Sequence, residues 1–269
     1  MLNDRNYSDA VSLVARIYRV GNEIDDDLTV VAASKGFADF LSGTKVDFKV
    51  PIFDLSYYVG QLGFNIPNDV NPVFHFCTHD EGASPHLMFD PIFIKSQAWA
   101  RKIGLVEAYV QVLENQSKPY IKPNLYFDPD LWMGGLAGPH SPIVDFLGSS
   151  DVSRRRYSRY FSPAYFSRQV PYLSKSHSSL FIAWLALVKS DPVAECNPMF
   201  HSSWYRKEYN ILSGDPLGHF VAKGAHIGNL PNPFAVHEIA QRKTRSLLER
   251  DGEILLEYIE VKDSASRPE

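Results

Sequence analysis

The strongest constraint on this chain is that it repeats itself, and self-similarity of this period decides architecture before any shorter motif does. An aromatic anchor recurs as Phe53-Asp-Leu-Ser-Tyr-Tyr, Phe89-Asp-Pro-Ile-Phe-Ile, Phe127-Asp-Pro-Asp-Leu-Trp, Phe161-Ser-Pro-Ala-Tyr-Phe and Phe200-His-Ser-Ser-Trp-Tyr, with Asn232-Pro-Phe234 as a sixth. The anchors are spaced by 36, 38, 34, 39 and 34 residues. A second anchor follows within the intervals, as Asn71-Pro-Val-Phe-His-Phe76, Ser141-Pro-Ile-Val-Asp-Phe146, Ser179-Leu-Phe-Ile-Ala-Trp184 and Asp215-Pro-Leu-Gly-His-Phe220. The interval after Phe89 carries a weaker version, Val106-Glu-Ala-Tyr109. Gly36-Phe37-Ala-Asp-Phe40-Leu-Ser-Gly43 supplies the same second half ahead of Phe53, so residues 1–52 read as a degenerate first repeat or cap.

Each interval reads as two short helices. Asp54, Asp90, Asp128 and Ser162 stand where a side-chain oxygen accepts from the unpaired amides of a first helical turn. Pro91, Pro129 and Pro163 follow at the first helical position, where a missing N–H costs nothing. Asn71, Ser141 and Asp215 before Pro72, Pro142 and Pro216 give the same cap-then-proline start to the second helix. Gly43, Gly82, Gly148 and Gly224 are the expected helix ends. Helices this short cannot bury their apolar faces alone, so neighbouring pairs must stack. The 4 Trp, 14 Tyr and 17 Phe supply the filling, each burying ~150–250 Å². The expectation is an all-α array of five to six irregular helix-turn-helix repeats of 34–39 residues over 53–234, either solenoid-like or a compact bundle. Residues 235–269 follow as an amphipathic helix over His237–Val261 and a tail; Gly252 interrupts that helix, and Ile254–Val261 reads alternatively as a strand.

Composition removes several classes. A net charge of −4 opposes bulk electrostatic binding to nucleic acid. Two cysteines, Cys77 and Cys196, are too few for a disulfide framework, which points to a reducing, cytoplasmic setting. Met1–Asn6 lack the cationic-then-apolar pattern of a signal peptide. The longest apolar run, Leu180 to Val188, is about half a bilayer span, so no transmembrane segment is expected and any membrane contact is peripheral.

The unit Phe-Asp-x-x-Tyr-Tyr … Asp-Pro-Leu-x-His-Phe-x-x-x-Gly … Asn-Pro-x-Phe resembles a helical repeat found beside glycosyltransferase domains of bacterial surface-polysaccharide loci, and in some secreted calcium-binding bacterial proteins. The match is close over Phe200–Phe234, fair over Phe53–Phe89 and loose elsewhere. The acidic-Gly-Arg that usually follows the second helix stands here as Asp80-Glu81-Gly82 and Ile227-Gly228-Asn229, without the arginine. The intervals at Phe89, Phe127 and Phe161 lack the histidine of the His-Phe anchor. The resemblance implies a bacterial, polysaccharide-related setting and carries no catalytic residues to transfer. Tetratricopeptide and Gly-rich calcium nonapeptide patterns are absent.

Candidate chemistry is sparse. His75 and His79, spaced i and i+4 around Cys77, are weak metal candidates, set against a structural histidine bonded between repeats. Asp128-Pro-Asp130 looks like the Asp-x-Asp that holds a divalent ion on nucleotide sugars, but its first Asp is the recurring cap. His237-Glu238-Ile-Ala-Gln241 lacks the second histidine of a zinc protease motif. Neither a Gly-x-Ser-x-Gly elbow nor a phosphate-cradling loop occurs. His140, Ser141 and Asp145 offer the residue types of a triad, yet Ser141 is explained as a cap. Glu23, Asp25, Asp26 and Asp27 read as a solvated loop, with calcium as the alternative. The one dense basic cluster, Arg154, Arg155, Arg156 and Arg159 with Tyr157 and Tyr160, suits an anion or glycan: guanidinium pairs with phosphate or carboxylate and tyrosine stacks on sugars; otherwise its arginines offset local acids such as Asp145 and Asp151. No cofactor and no catalytic residue is expected. The leading reading is a non-catalytic binding or scaffolding protein holding an enzyme, glycan or lipid-linked intermediate. The alternatives are a glycosyltransferase-type enzyme with a site between repeats, or a general protein-interaction module, oligomeric through the C-terminal helix.

Overall fold

The computed structural model describes residues 4–79, 82–135, 138–150, 152, 155–171, 177–190 and 194–233. Among them are thirteen α-helices, short 3-10 and π turns, and no strand, so the chain is all-α. No described helix is long and apolar enough to cross a membrane. Phe234 and the whole of 235–269, including the expected C-terminal helix, lie outside the described residues. The chain divides into two compact units, Met1–Arg155 and Arg156–Glu269.

The N-terminal unit opens with α1, Asp4–Gly21. Its buried face, with Val14, Ala15 and Ile17 fully enclosed, packs on α2 (Leu28–Ala33), α5 (Pro72–Thr78) and α7 (Leu105–Glu114). Arg16 pairs with both Glu107 and Glu114 at 2.8 and 2.7 Å, and Arg19 adds a contact to Glu114 at 3.0 Å. The helices of the first 52 residues differ in length: α1 has 18 residues, against 8 in α3 (Lys35–Ser42), and α4 (Leu55–Leu62), after the first anchor, also has 8. The unit continues through α6 (Pro91–Ser96), α8 (Pro129–Met133) and α9 (Pro142–Gly148). The C-terminal unit contains α10 (Pro163–Gln169), α11 (His177–Ser190), α12 (Ser202–Glu208) and α13 (Pro216–His219).

Helix starts fall where the cap chemistry places them. Asp54 accepts from the Tyr57 amide at 2.9 Å, Asp90 from Ile92 at 3.0 Å, Asp128 from Leu131 at 3.1 Å and Ser162 from Tyr165 at 3.3 Å. Asn71 and Asp215 do the same for α5 and α13 at 2.9 and 3.0 Å. His201 takes the cap position of α12 with its ring nitrogen. Two expected ends move. Thr78 ends α5 before Gly82, and the helical path at Phe220–Gly224 runs on through Ala225–Ile227 to Gly228, whose φ of 84° closes it. Gly224 itself has φ −59°, so its role is one of space and not of backbone freedom.

The anchors meet in the same way at several places. Phe53 lies 5.3 Å from Tyr58 and 5.9 Å from Phe76 between ring centroids. Phe200 lies 5.1 Å from Tyr205 and 5.4 Å from Phe220. Phe127 and Trp132 both pack on Phe146, at 5.1 and 5.3 Å. The Tyr58 hydroxyl is bonded to His75 Nδ1 and the Tyr205 hydroxyl to His219 Nδ1, each at 2.9 Å. Successive anchor segments are also tied by backbone: the Asp54 N–H donates to Pro85, Asp90 to Pro123, Ser162 to Cys196 and His201 to Pro231. Gln61, Gln97 and Gln169, eight residues after their anchors, donate to the carbonyls of Ser84, Lys122 and Glu195. These amides tie each helix end to the loop that leads to the next anchor.

Candidate functional site

The residues marked by sequence separate into structural groups and one cleft. His75 and His79 stack with centroids 4.1 Å apart and planes 9° from parallel. Parallel rings hold their nitrogens side by side and do not converge on an ion. His75 Nδ1 is engaged by Tyr58, and His79 Nδ1 by the Thr78 hydroxyl at 2.8 Å. No group of three or more His, Cys, Asp or Glu side chains suited to a metal occurs among the described residues. His75 bonds between α4 and α5, the two helices that follow one anchor. Between the two histidines, burial pushes the Cys77 thiol up, away from reactivity.

The arginine cluster does not present the surface its composition suggests. Arg154 lies outside the described residues. Arg155 pairs with Asp145 at 3.1 Å and lies 4.9 Å from the centre of the Trp132 ring. The same Asp145 oxygen accepts from Trp132 Nε1 at 2.8 Å, which makes Arg155 part of a local brace. Arg156 is exposed and Arg159 half-buried. Tyr157 and Tyr160 are 4% and 7% exposed. Tyr157 packs on Phe161 and Phe181, and burial pushes its hydroxyl up. Neither tyrosine offers a face to a sugar, because the anchor segment needs both rings as core. Asp130, the second carboxylate of Asp-x-Asp, pairs instead with Lys118 at 3.1 Å.

A cleft of 340 Å³ brings together residues that the sequence shows only singly. It lies where α1 and α7 end and α9 begins, between segments 19–25, 113–116 and 139–144. Arg19 faces it with Glu114 beside it; Glu23 and Asp25 come from the acidic run, Gln116 from the end of α7, and His140 and Ser141 from the start of α9. His140 Nε2 lies 3.5 Å from Glu23. Glu23 is held at φ 54°, in a turn where Ile24 donates to Arg19 and Glu23 to Val20, the bond pattern that ends helices on glycine. A glutamate there carries left-handed strain. Glu23→Gly is therefore expected to stabilise the chain by about 0.5–1 kcal/mol, after the loss of the half-exposed His140 contact. Urea denaturation of the two proteins checks this.

His86, which follows the His75 and His79 pair in sequence, is a buried imidazole. Its Nδ1 accepts from the Met88 amide at 3.0 Å, so the neutral ring is the one that fits. Burial lowers its pKa to about 4, against the weaker opposing pull of Asp54. The unfolded chain thus binds a proton near pH 6.5 that the folded chain refuses until about 4. Stability is full above pH 6.5 and falls as pH drops through that window, by about 2 kcal/mol at pH 5 from this group alone. His86 ring resonances are expected to keep their neutral positions through pH 6.5 in an NMR titration.

No family model, curated protein sequence or solved structure matches this chain.

Proposed function

We propose that the chain is an array of one recurring two-helix unit that serves as a non-catalytic binding or scaffolding module, holding an enzyme, a glycan or a lipid-linked intermediate of bacterial surface-polysaccharide synthesis. The polysaccharide setting rests on the resemblance of the repeated motif. The array reading is supported by the matching aromatic contacts at Phe53 and Phe200, the paired Tyr58–His75 and Tyr205–His219 bonds, and the recurring ties between anchor segments.

One observation carries the binding reading: the aspartates and histidines that recur with the anchors are occupied in holding the fold. Asp54, Asp90, Asp128 and Asp215 accept from their own helices' first amides, while His75 and His219 are bonded to tyrosines. The recurrence of the same bond at the same place in each interval supports a structural role for these groups. Incubation of the purified chain with nucleotide sugars, divalent ions and acceptor glycans is expected to give no product. A thermal-shift screen of oligosaccharides and lipid-phosphate analogues is expected to give stabilisation. Sugar turnover by the chain alone overturns the proposal.

A further inference from the structure

We propose that the cleft between segments 19–25, 113–116 and 139–144 binds a neutral polyhydroxylated ring compound of one or two sugar units. This names a ligand class and a place for the binding role proposed above, and it rests on that reading. Its support comes from the cleft's size and its pattern of charge. At 340 Å³ it lies at the small end of the roughly 300–1,000 Å³ of ligand pockets. It is also built from three segments, so a ligand there meets side chains from more than one direction.

The Glu114 charge is answered from within, held by Arg16 and Arg19 at 2.7 and 3.0 Å, and Glu23 lies 3.5 Å from His140 Nε2. An anionic ligand would meet the Glu23 and Asp25 carboxylates and would have to compete with Glu114 for Arg19. Hydrogen-bonding capacity remains in excess, however. Arg19 spends one N–H on Glu114, leaving guanidinium donors unspent. The Asp25 carboxylate takes no hydrogen bond or ion pair among the described residues. The amide of Gln116 offers both a donor and an acceptor. Hydroxyl groups, which donate and accept at once, match this mixture of donors and acceptors, and bonds to charged partners are the stronger kind. Val20 and Ile24, both half-buried, form the accessible apolar part of the lining, which suits the C–H face of a ring.

The test is an NMR titration of the full chain with glucose, galactose, N-acetylglucosamine and lactose, alongside glucuronate, glucosamine and calcium chloride. A neutral sugar is expected to shift amide signals within 19–25, 113–116 and 139–144, and to bind more tightly than its charged analogues. Glu23→Gln and Gln116→Ala, both at solvent-exposed positions, are each expected to weaken that sugar about tenfold, the worth of one charge-assisted or amide pair, with the melting temperature unchanged. The inference is overturned if charged analogues or calcium bind more tightly, if neither substitution weakens binding, or if no sugar shifts these signals. Where an oligosaccharide binds the chain with the cleft signals still, the cleft assignment falls and the binding role stands. Absence of all glycan binding sinks the cleft assignment and the glycan form of the binding role, and leaves an enzyme or a lipid-linked intermediate as what the chain holds.

Discussion

Gly224→Ala is expected to destabilise the C-terminal unit by about 3 kcal/mol, against the usual sign for such a change. In an open helical turn, glycine to alanine gains about 1 kcal/mol, and Gly224, with φ −59°, has ordinary helical backbone. The difficulty is that a Cβ there would run into the Tyr205 hydroxyl, with Asn229 Nδ2 3.2 Å away. Tyr205 cannot swing aside. It is fully buried, packed on Phe200 and Phe220, and its hydroxyl is bonded to His219 at 2.9 Å and Asn229 at 3.0 Å. The added methyl must displace a rigid ring or break that pair of bonds; overpacking costs ~1–3 kcal/mol and an orphaned buried polar group ~1–3 kcal/mol. Tyr205→Phe in the same chain removes the colliding oxygen. The double variant should therefore be more stable than the two single losses add up to, a coupling that urea denaturation of all four proteins measures. A stabilised Gly224→Ala protein would mean that the hydroxyl is not held where the structure has it.

The helix starts were legible in the sequence because capping is local. Asp90 before Pro91, or Asn71 before Pro72, needs only its own next few amides, so the pattern can be read without the fold. Helix ends were less so. Gly224 carries the outward mark of a terminating glycine, yet its smallness is required by a tyrosine 19 positions earlier in the chain. The glutamines at 61, 97 and 169 recur with the anchors but escaped notice, since a polar residue at the end of a short helix reads as solvent-facing until the carbonyl it serves is seen. The length of α1 was not legible from the anchors, whose short period does not extend to a segment with an apolar face shared among four other helices.

The candidate site was legible only in fragments. The acidic run and His140-Ser141 each stood out, yet nothing local joins residues more than a hundred positions apart; α1, α7 and α9 bring them together by packing. The reverse holds for the arginine cluster. Its interleaved tyrosines looked like a stacking surface, but Tyr157 and Tyr160 belong to the aromatic anchor of Phe161, and the core claimed them. Composition shows which chemistry is present, and burial then decides which side of it faces water.

Phe76→Ala is expected to cost the N-terminal unit about 3–5 kcal/mol, as large aromatic truncations in packed cores do. The upper part of that range applies. Phe76 touches Phe53, Tyr58 and Tyr109 at centroid distances of 5.9, 5.6 and 5.6 Å. A cavity stays open when its walls cannot move in, and two of these walls are tethered: Tyr58 to His75, and Tyr109 through its hydroxyl to the Ile52 carbonyl. Phe220, which meets Phe200 and Tyr205 at 5.4 and 5.7 Å, is the corresponding position in the C-terminal unit. If one recurring unit underlies both places, Phe220→Ala should lose a similar amount, because ring, tyrosine and histidine recur around it. Ile92→Ala, at 86% exposure, should change stability by less than about 0.5 kcal/mol. Thermal melts resolve these differences, since each kcal/mol moves the midpoint by about 2–4 °C in a chain of this size. A mild Phe76→Ala would mean that the rings around it close the gap, and the aromatic anchors would then be filling space that other side chains could fill as well.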